Sequence, residues 1–166
     1  MKKAILLFAF AALSLQNINA TKRIYTKTDS IRAEKIMKQA SSQPAGTNTI
    51  VYIGRQLLGV PYVAQTLEKG KTEHLVINTM QLDCTTFVEN VLAMYLCVQN
   101  KTTRFADFCS NIQKIRYAGG KVSYPSRLHY FSTWIEDNTK KGIVQEQQAP
   151  NPPFTAKQTI MANFMS

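Results

Sequence analysis

The chain has 166 residues, 45% hydrophobic and 18% charged, and its 20 Lys and Arg against 10 Asp and Glu give a net charge of +10. That length builds one domain with a real core and excludes two. The basic residues, among them Lys22, Arg23, Lys27, Lys69, Lys71, Lys140 and Lys141, are scattered without interleaved aromatics, so a nucleic-acid groove is excluded as well.

The N-terminus reads as an export signal. Met1-Lys2-Lys3 is a short basic start, Ala4 to Leu15 an apolar core, and Ile18-Asn19-Ala20 a cleavage site, so residues 1–20 are expected to leave and residues 21–166 to form the domain. The apolar run is too short for a permanent membrane anchor. The expected location is the periplasm or the cell exterior. With Lys2 and Lys3 removed the charge is about +8, and for an exported chain the partners this suits are anionic wall polymers or a membrane surface.

In chain order, Ser30 to Ala40 reads as a first helix with Ile31, Ile36 and Met37 on its apolar side. Residues 41–49, with Pro44, Gly46 and Asn48, form a loop that ends in a cap. A second helix runs from Ile50 to Leu58 with Ile50, Ile53, Leu57 and Leu58 inward, closed by Gly59 and blocked by Pro61. Residues Glu73 to Met80 are rich in strand formers. From Phe87 the spacing of Phe87, Val88, Val91, Leu92, Tyr95, Leu96 and Val98 predicts a third helix. A fourth spans Thr103 to Tyr117 and a fifth Ser126 to Thr139, with Leu128, Phe131, Trp134 and Ile135 inward. Ile143 to Gln147 is a candidate strand, 149–153 a loop, and 160–166 an apolar run that resembles an interrupted element.

The chemistry concentrates at Asp83-Cys84. Asp83 is a good N-cap and Cys84 falls in the first helical turn, where free N–H groups and the helix dipole favour a thiolate. The competing reading is a small buried cysteine with no chemical role. Three cysteines, Cys84, Cys97 and Cys109, are an odd number, which leaves at least one free thiol. Cys97 and Cys109 fall in apolar helical patterns and are core residues, paired with each other or not. A nucleophilic cysteine needs a base, and the chain has two histidines. His74 lies on the strand-like segment and reads best as an ordinary surface residue. His129 sits in the polar and aromatic cluster Tyr124-Pro125-Ser126-Arg127-Leu128-His129-Tyr130-Phe131, as a site residue or as a helical packing residue beside Trp134.

Asp83-Cys84 opening a helix after Leu58-Gly59-Val60-Pro61-Tyr62 resembles the NlpC-type papain-like cysteine hydrolases of the cell wall. Together with Leu75-Val76-Ile77-Asn78, Asp83 to Asn90, and Ser126 to Trp134, it resembles more narrowly their N-acetylmuramoyl-L-alanine amidase-like branch, over most of residues 25–166. The resemblance implies an α+β fold in which the cysteine helix packs on an antiparallel sheet. It implies hydrolysis of the amide between N-acetylmuramic acid and L-alanine in peptidoglycan fragments, with no metal and no cofactor. It makes Cys84 the nucleophile and Asp83 its neighbour. Tyr62 becomes the aromatic lining the peptide side of the cleft, and Arg127, His129 and Tyr130 contact substrate. It also implies a base histidine on a later strand, which is not read before Ser166. The expectation is therefore an incomplete catalytic sheet, with either His129 as base or the base missing and the chain an inactive fragment; the alternative is a non-catalytic, basic wall-binding protein that still holds muropeptide.

Overall fold

Five α-helices and one two-stranded sheet make up the fold in the computed structural model, which describes residues 22–145 and Gln147. The expected signal peptide, the loop at 149–153 and the apolar run at 160–166 lie outside the described residues. In order they are β1 (Arg23–Ile24), α1 (Lys27–Ser41), α2 (Thr49–Gln56), β2 (Leu75–Val76), α3 (Cys84–Gln99), α4 (Phe105–Arg116) and α5 (Phe131–Lys140). Single 3-10 turns at Ala118–Gly120 and Tyr124–Ser126 join α4 to α5.

Helix α1 starts at Lys27, three residues before the predicted Ser30. The cause is a capping box: the Thr26 hydroxyl accepts from the Asp29 N–H while the Asp29 carboxylate accepts from the Thr26 N–H at 2.9 Å. Helix α2 is capped by Asn48, whose side chain accepts from the Val51 N–H at 3.1 Å. It ends at Gln56, so Ile53 and Leu57 are buried while Ile50 and Leu58, also expected inward, are exposed.

Helix α3 is the centre, packed against α1, α2 and α4, with α5 against α4. Because it is covered on several sides, its most buried positions are Thr86, Glu89, Asn90, Val91, Ala93, Met94 and Cys97, and only Val91 of these belongs to the stripe read from the sequence. Phe87, Val88, Leu92, Tyr95, Leu96 and Val98 are half-buried around that core. The core is completed by Ala33, Met37, Ile53, Leu75, Phe108, Ile112, Ile115 and Trp134. Two polar residues of α3 are buried inside it. Glu89 pairs with Arg116 of α4 at 2.8 Å, and the Arg116 guanidinium also donates to the Val76 carbonyl at 2.6 Å. The Asn90 amide donates to the Thr86 and Asn78 carbonyls.

The expected α+β, NlpC-type papain-like fold with an antiparallel sheet is corrected here. The described residues are helix-rich, and β1 and β2 form a small parallel sheet with Arg23 opposite Leu75 and Ile24 opposite Val76. The strand-like run at 73–80 shrinks to two residues because its later backbone donors are taken by side chains. Asp29 takes the Thr79 N–H, and the Asn78 side chain accepts from the N–H groups of Met80 and Gln81, which turns the chain toward α3. Residues 143–145 do not form the predicted strand either.

Helix α5 begins at Phe131 and not at Ser126. The intervening residues are committed elsewhere: Tyr117 and Arg127 form an antiparallel bridge, and the Leu128 N–H donates to the Arg116 carbonyl at 2.9 Å. His129 accordingly sits in an extended loop before the helix.

Candidate active site

Cys84 is the first residue of α3 and is exposed. Its helix start is fixed by a second reciprocal cap. The Asp83 carboxylate accepts from the Thr86 N–H and hydroxyl, both at 2.8 Å, while the Thr86 hydroxyl accepts from the Asp83 N–H at 2.9 Å. One carboxylate oxygen, Oδ1, is thereby engaged at the helix end. A cap leaves the first N–H groups of a helix pointing outward beside the thiol, the arrangement that stabilises developing negative charge.

A cleft of about 420 Å³ opens over Cys84, walled by Leu57, Val60, Tyr62, Leu82, Phe87 and Val88. Tyr62 reaches it through main-chain pairing, since the Val63 N–H donates to the Leu82 carbonyl at 3.0 Å and the Leu82 N–H to the Pro61 carbonyl at 3.1 Å. The Tyr62 ring is 72% exposed, so it is a rim residue with a free face. Three of the expected site residues, Tyr62, Asp83 and Cys84, are thus brought to one cleft. The apolar walls from α2 and α3 were not read as site residues, because helical spacing marks them only as core.

The remaining expected residues form a second group on the loop between α4 and α5. Arg127 is buried, its guanidinium held by Glu68 at 2.5 Å and Glu73 at 3.3 Å, and it lies 5.1 Å from the centre of the Tyr124 ring. That environment makes Arg127 a fastener of the loop. The Tyr117 hydroxyl donates to the same Glu73 carboxylate at 2.7 Å, and burial, with that hydrogen bond second, pushes its ionisation far above the ordinary tyrosine range. His129 is exposed, and its Nε2 bonds the Tyr124 carbonyl at 3.0 Å. A carbonyl oxygen accepts, so Nε2 is the donor in this bond. His129 does not line the Cys84 cleft, and among the described residues the nearest polar partner of the Cys84 sulfur is the Thr85 hydroxyl at 3.9 Å. Among the described residues no cluster of three His, Cys, Asp or Glu is placed to hold a metal ion, and no helix is long and apolar enough to cross a membrane.

Residues 52–161, which contain both groups, match the AmiA-like family, described as N-acetylmuramoyl-L-alanine amidase-like. The chain belongs to that family. Among solved structures, this amidase-like chain is similar to an N-acetylmuramoyl-L-alanine amidase from Bacteroides uniformis, with 41% identity and a TM-score of 0.51 over 67% of this chain and 41% of that one. It is also similar to a proposed xylanase from Bacteroides fragilis, with 48% identity and a TM-score of 0.51 over 54% of this chain and 39% of that one. A search of the curated proteins gives no match. The amidase-like chain therefore spans about two fifths of the structures it resembles. With the helix-rich arrangement and the small parallel sheet described above, the papain-like fold class is set aside.

Proposed function

We propose that the chain is the cysteine-bearing part of a peptidoglycan amidase that cleaves the amide between N-acetylmuramic acid and L-alanine. The observation that carries this reading is the exposed Cys84 thiol at a capped helix start, facing an apolar cleft rimmed by Tyr62, inside the segment that matches the amidase-like family. The sulfur attacks the carbonyl carbon of the lactyl amide, and the oxyanion is held by backbone N–H groups at the start of α3, that of Cys84 among them. Collapse breaks the C–N bond, the L-alanine nitrogen leaves with a proton, and a thioester remains. Water then hydrolyses the thioester and frees the muramic acid carboxylate and the thiol.

The proton carrier in this scheme is His129, or a group outside the described residues. The domain runs over residues 21–166 behind a leader at 1–20 and works in the periplasm or outside the cell, where its substrate is. A second reading, a non-catalytic muropeptide binder, is favoured by one observation: among the described residues no histidine lines the Cys84 cleft.

Incubation with N-acetylmuramoyl-L-alanyl peptides and mass spectrometry of the products tests the scheme. Release of the free peptide by the native chain, abolished in Cys84→Ala, is the expected result. Undiminished binding by Cys84→Ala with no release by either protein establishes the binder instead.

A further inference from the structure

The turn that leads into the Cys84 helix is held down by side chains from several elements. The Arg116 guanidinium donates to the Val76 carbonyl, Asp29 accepts from the Thr79 N–H, and the Asn78 side chain accepts from the Met80 and Gln81 N–H groups. Among the described residues, one α3 side chain bonds the 78–81 turn directly: the Asn90 amide donates to the Asn78 carbonyl at 3.3 Å and to the Thr86 carbonyl at 2.7 Å. That amide has two N–H donors, one for each carbonyl. Its Oδ1 is buried with no partner among the described residues, and Asn90 as a whole is only 1% exposed. A buried acceptor without a donor costs stability. Leucine has the same branched outline and carries no such atom, so packing alone gives no reason for an asparagine here.

We infer that Asn90 is a positioning residue of the Cys84 cleft, setting the wall formed by Leu82 and Tyr62 at its working distance from the thiol. The link can be followed bond by bond. Asn90 fixes the Asn78 carbonyl to α3, the Asn78 side chain fixes the turn as far as Gln81, and Leu82 follows. Leu82 carries the rim, because its N–H donates to the Pro61 carbonyl and its carbonyl accepts from the Val63 N–H, on either side of Tyr62. The thiol and its wall therefore come from two segments, and Asn90 ties them. Asp29 and Arg116 hold the same turn to α1 and α4, so they keep it folded without setting its distance from the Cys84 helix. The inference rests on the reading that this cleft is where the reaction occurs. A misplacement of about 1 Å between reacting groups costs about a hundredfold in rate, which outweighs the stability lost to one orphan oxygen.

The test compares alkylation of Cys84 by iodoacetamide and by N-benzyl-iodoacetamide, whose ring enters the apolar cleft beside the thiol. The ratio of the two rates reads the wall, because the thiol's own reactivity cancels. Native Cys84 should favour the benzyl reagent at least about tenfold more than glutathione does, from the apolar area that the ring buries. Asn90→Leu should bring the ratio close to that of glutathione while its urea midpoint stays at or above the native one, since Arg116 and Asp29 still hold the turn and the orphan oxygen is gone. A residue with only a structural role would move the midpoint and leave the ratio. Asn78→Ala should lower the ratio as well, and Asn78→Asp, which keeps an acceptor for the Met80 and Gln81 N–H groups, should restore it. If Asn90→Leu does not fold, the two Asn78 variants decide. The inference is overturned by a native ratio equal to that of glutathione, by native-like ratios in the folded Asn90→Leu and Asn78→Ala proteins, or by a parallel loss of rate with both reagents. None of these readings needs turnover, so a native chain that shows the preference and releases no peptide would defeat the amidase reading and leave the role of Asn90 standing.

Discussion

Asp29 and Thr79, fifty residues apart, are joined by two hydrogen bonds: the Thr79 N–H donates to the Asp29 carboxylate at 2.7 Å and its hydroxyl at 2.9 Å. The other carboxylate oxygen accepts from the Thr26 N–H and hydroxyl. One buried side chain therefore caps α1 and fixes the loop that delivers Cys84. Burial works against the charge, but the hydrogen bonds from Thr26 and Thr79 outweigh it and hold the carboxyl below its ordinary value of 3.8.

A group with a depressed folded value stabilises fully above its unfolded value, and that stability is lost as pH falls through the folded one. Asp29→Asn should accordingly destabilise the chain by about 1 to 3 kcal/mol at neutral pH, the cost of buried donors left without acceptors. The difference should shrink below pH 3.8, as the native carboxyl also takes up its proton. Urea unfolding of both proteins at neutral and acid pH checks this, and a difference that does not change with pH would show that the charge is not what holds the loop.

Glu89 and Arg116 form a pair with both side chains almost fully buried, α3 to α4, and the guanidinium also holds the Val76 carbonyl of β2. Breaking such a pair leaves an uncompensated charge inside the core and costs about 3 to 5 kcal/mol, whereas replacing both members with apolar residues costs much less. Glu89→Met should therefore be far more damaging than Glu89→Met combined with Arg116→Met. A double-mutant cycle by urea denaturation reads the coupling directly, and additive effects would refute it.

Much of this was legible in the sequence, and the gaps have physical causes. The helices emerge from apolar spacing, and the Cys84 helix start from Asp83, because local capping chemistry sets both. Thr26-x-x-Asp29 is the same kind of signal and was available to find the start of α1. The strand at 73–80 misled because a β-forming composition does not say whether a partner strand exists or whether Asp29 and Asn78 take the backbone donors first. Arg127 illustrates the limit at the site itself. Its motif marks a ligand contact, but its partners Glu68 and Glu73 lie about sixty residues earlier, and only the fold shows that they bury it.

Asp83 caps α3 through Thr86 and lines the cleft only by its position beside Cys84. Asp83→Ala should lower stability by about 0.5 to 2 kcal/mol, the usual loss for an N-cap. It should also slow alkylation of Cys84, because the first turn that presents the thiol and its neighbouring N–H groups frays. Asp83→Ser, which keeps a capping oxygen, should recover most of both. Recovery of stability without recovery of the alkylation rate would assign the carboxylate a direct effect on the thiol.

The three cysteines should separate cleanly by reactivity. Cys97 and Cys109 are buried and unpaired, and burial raises each thiol to about 11, so at neutral pH only about one molecule in ten thousand carries the thiolate at either site. Cys84 is exposed at the start of α3. Limiting iodoacetamide at neutral pH, followed by peptide mapping, should label Cys84 first and leave the other two untouched until the chain is unfolded. Unfolding without a reductant should then release both remaining thiols, for three in all. Early labelling of Cys97 or Cys109 would remove Cys84 from its assigned role, and a count of one thiol in denaturant would reveal a Cys97–Cys109 disulfide in place of the two free side chains.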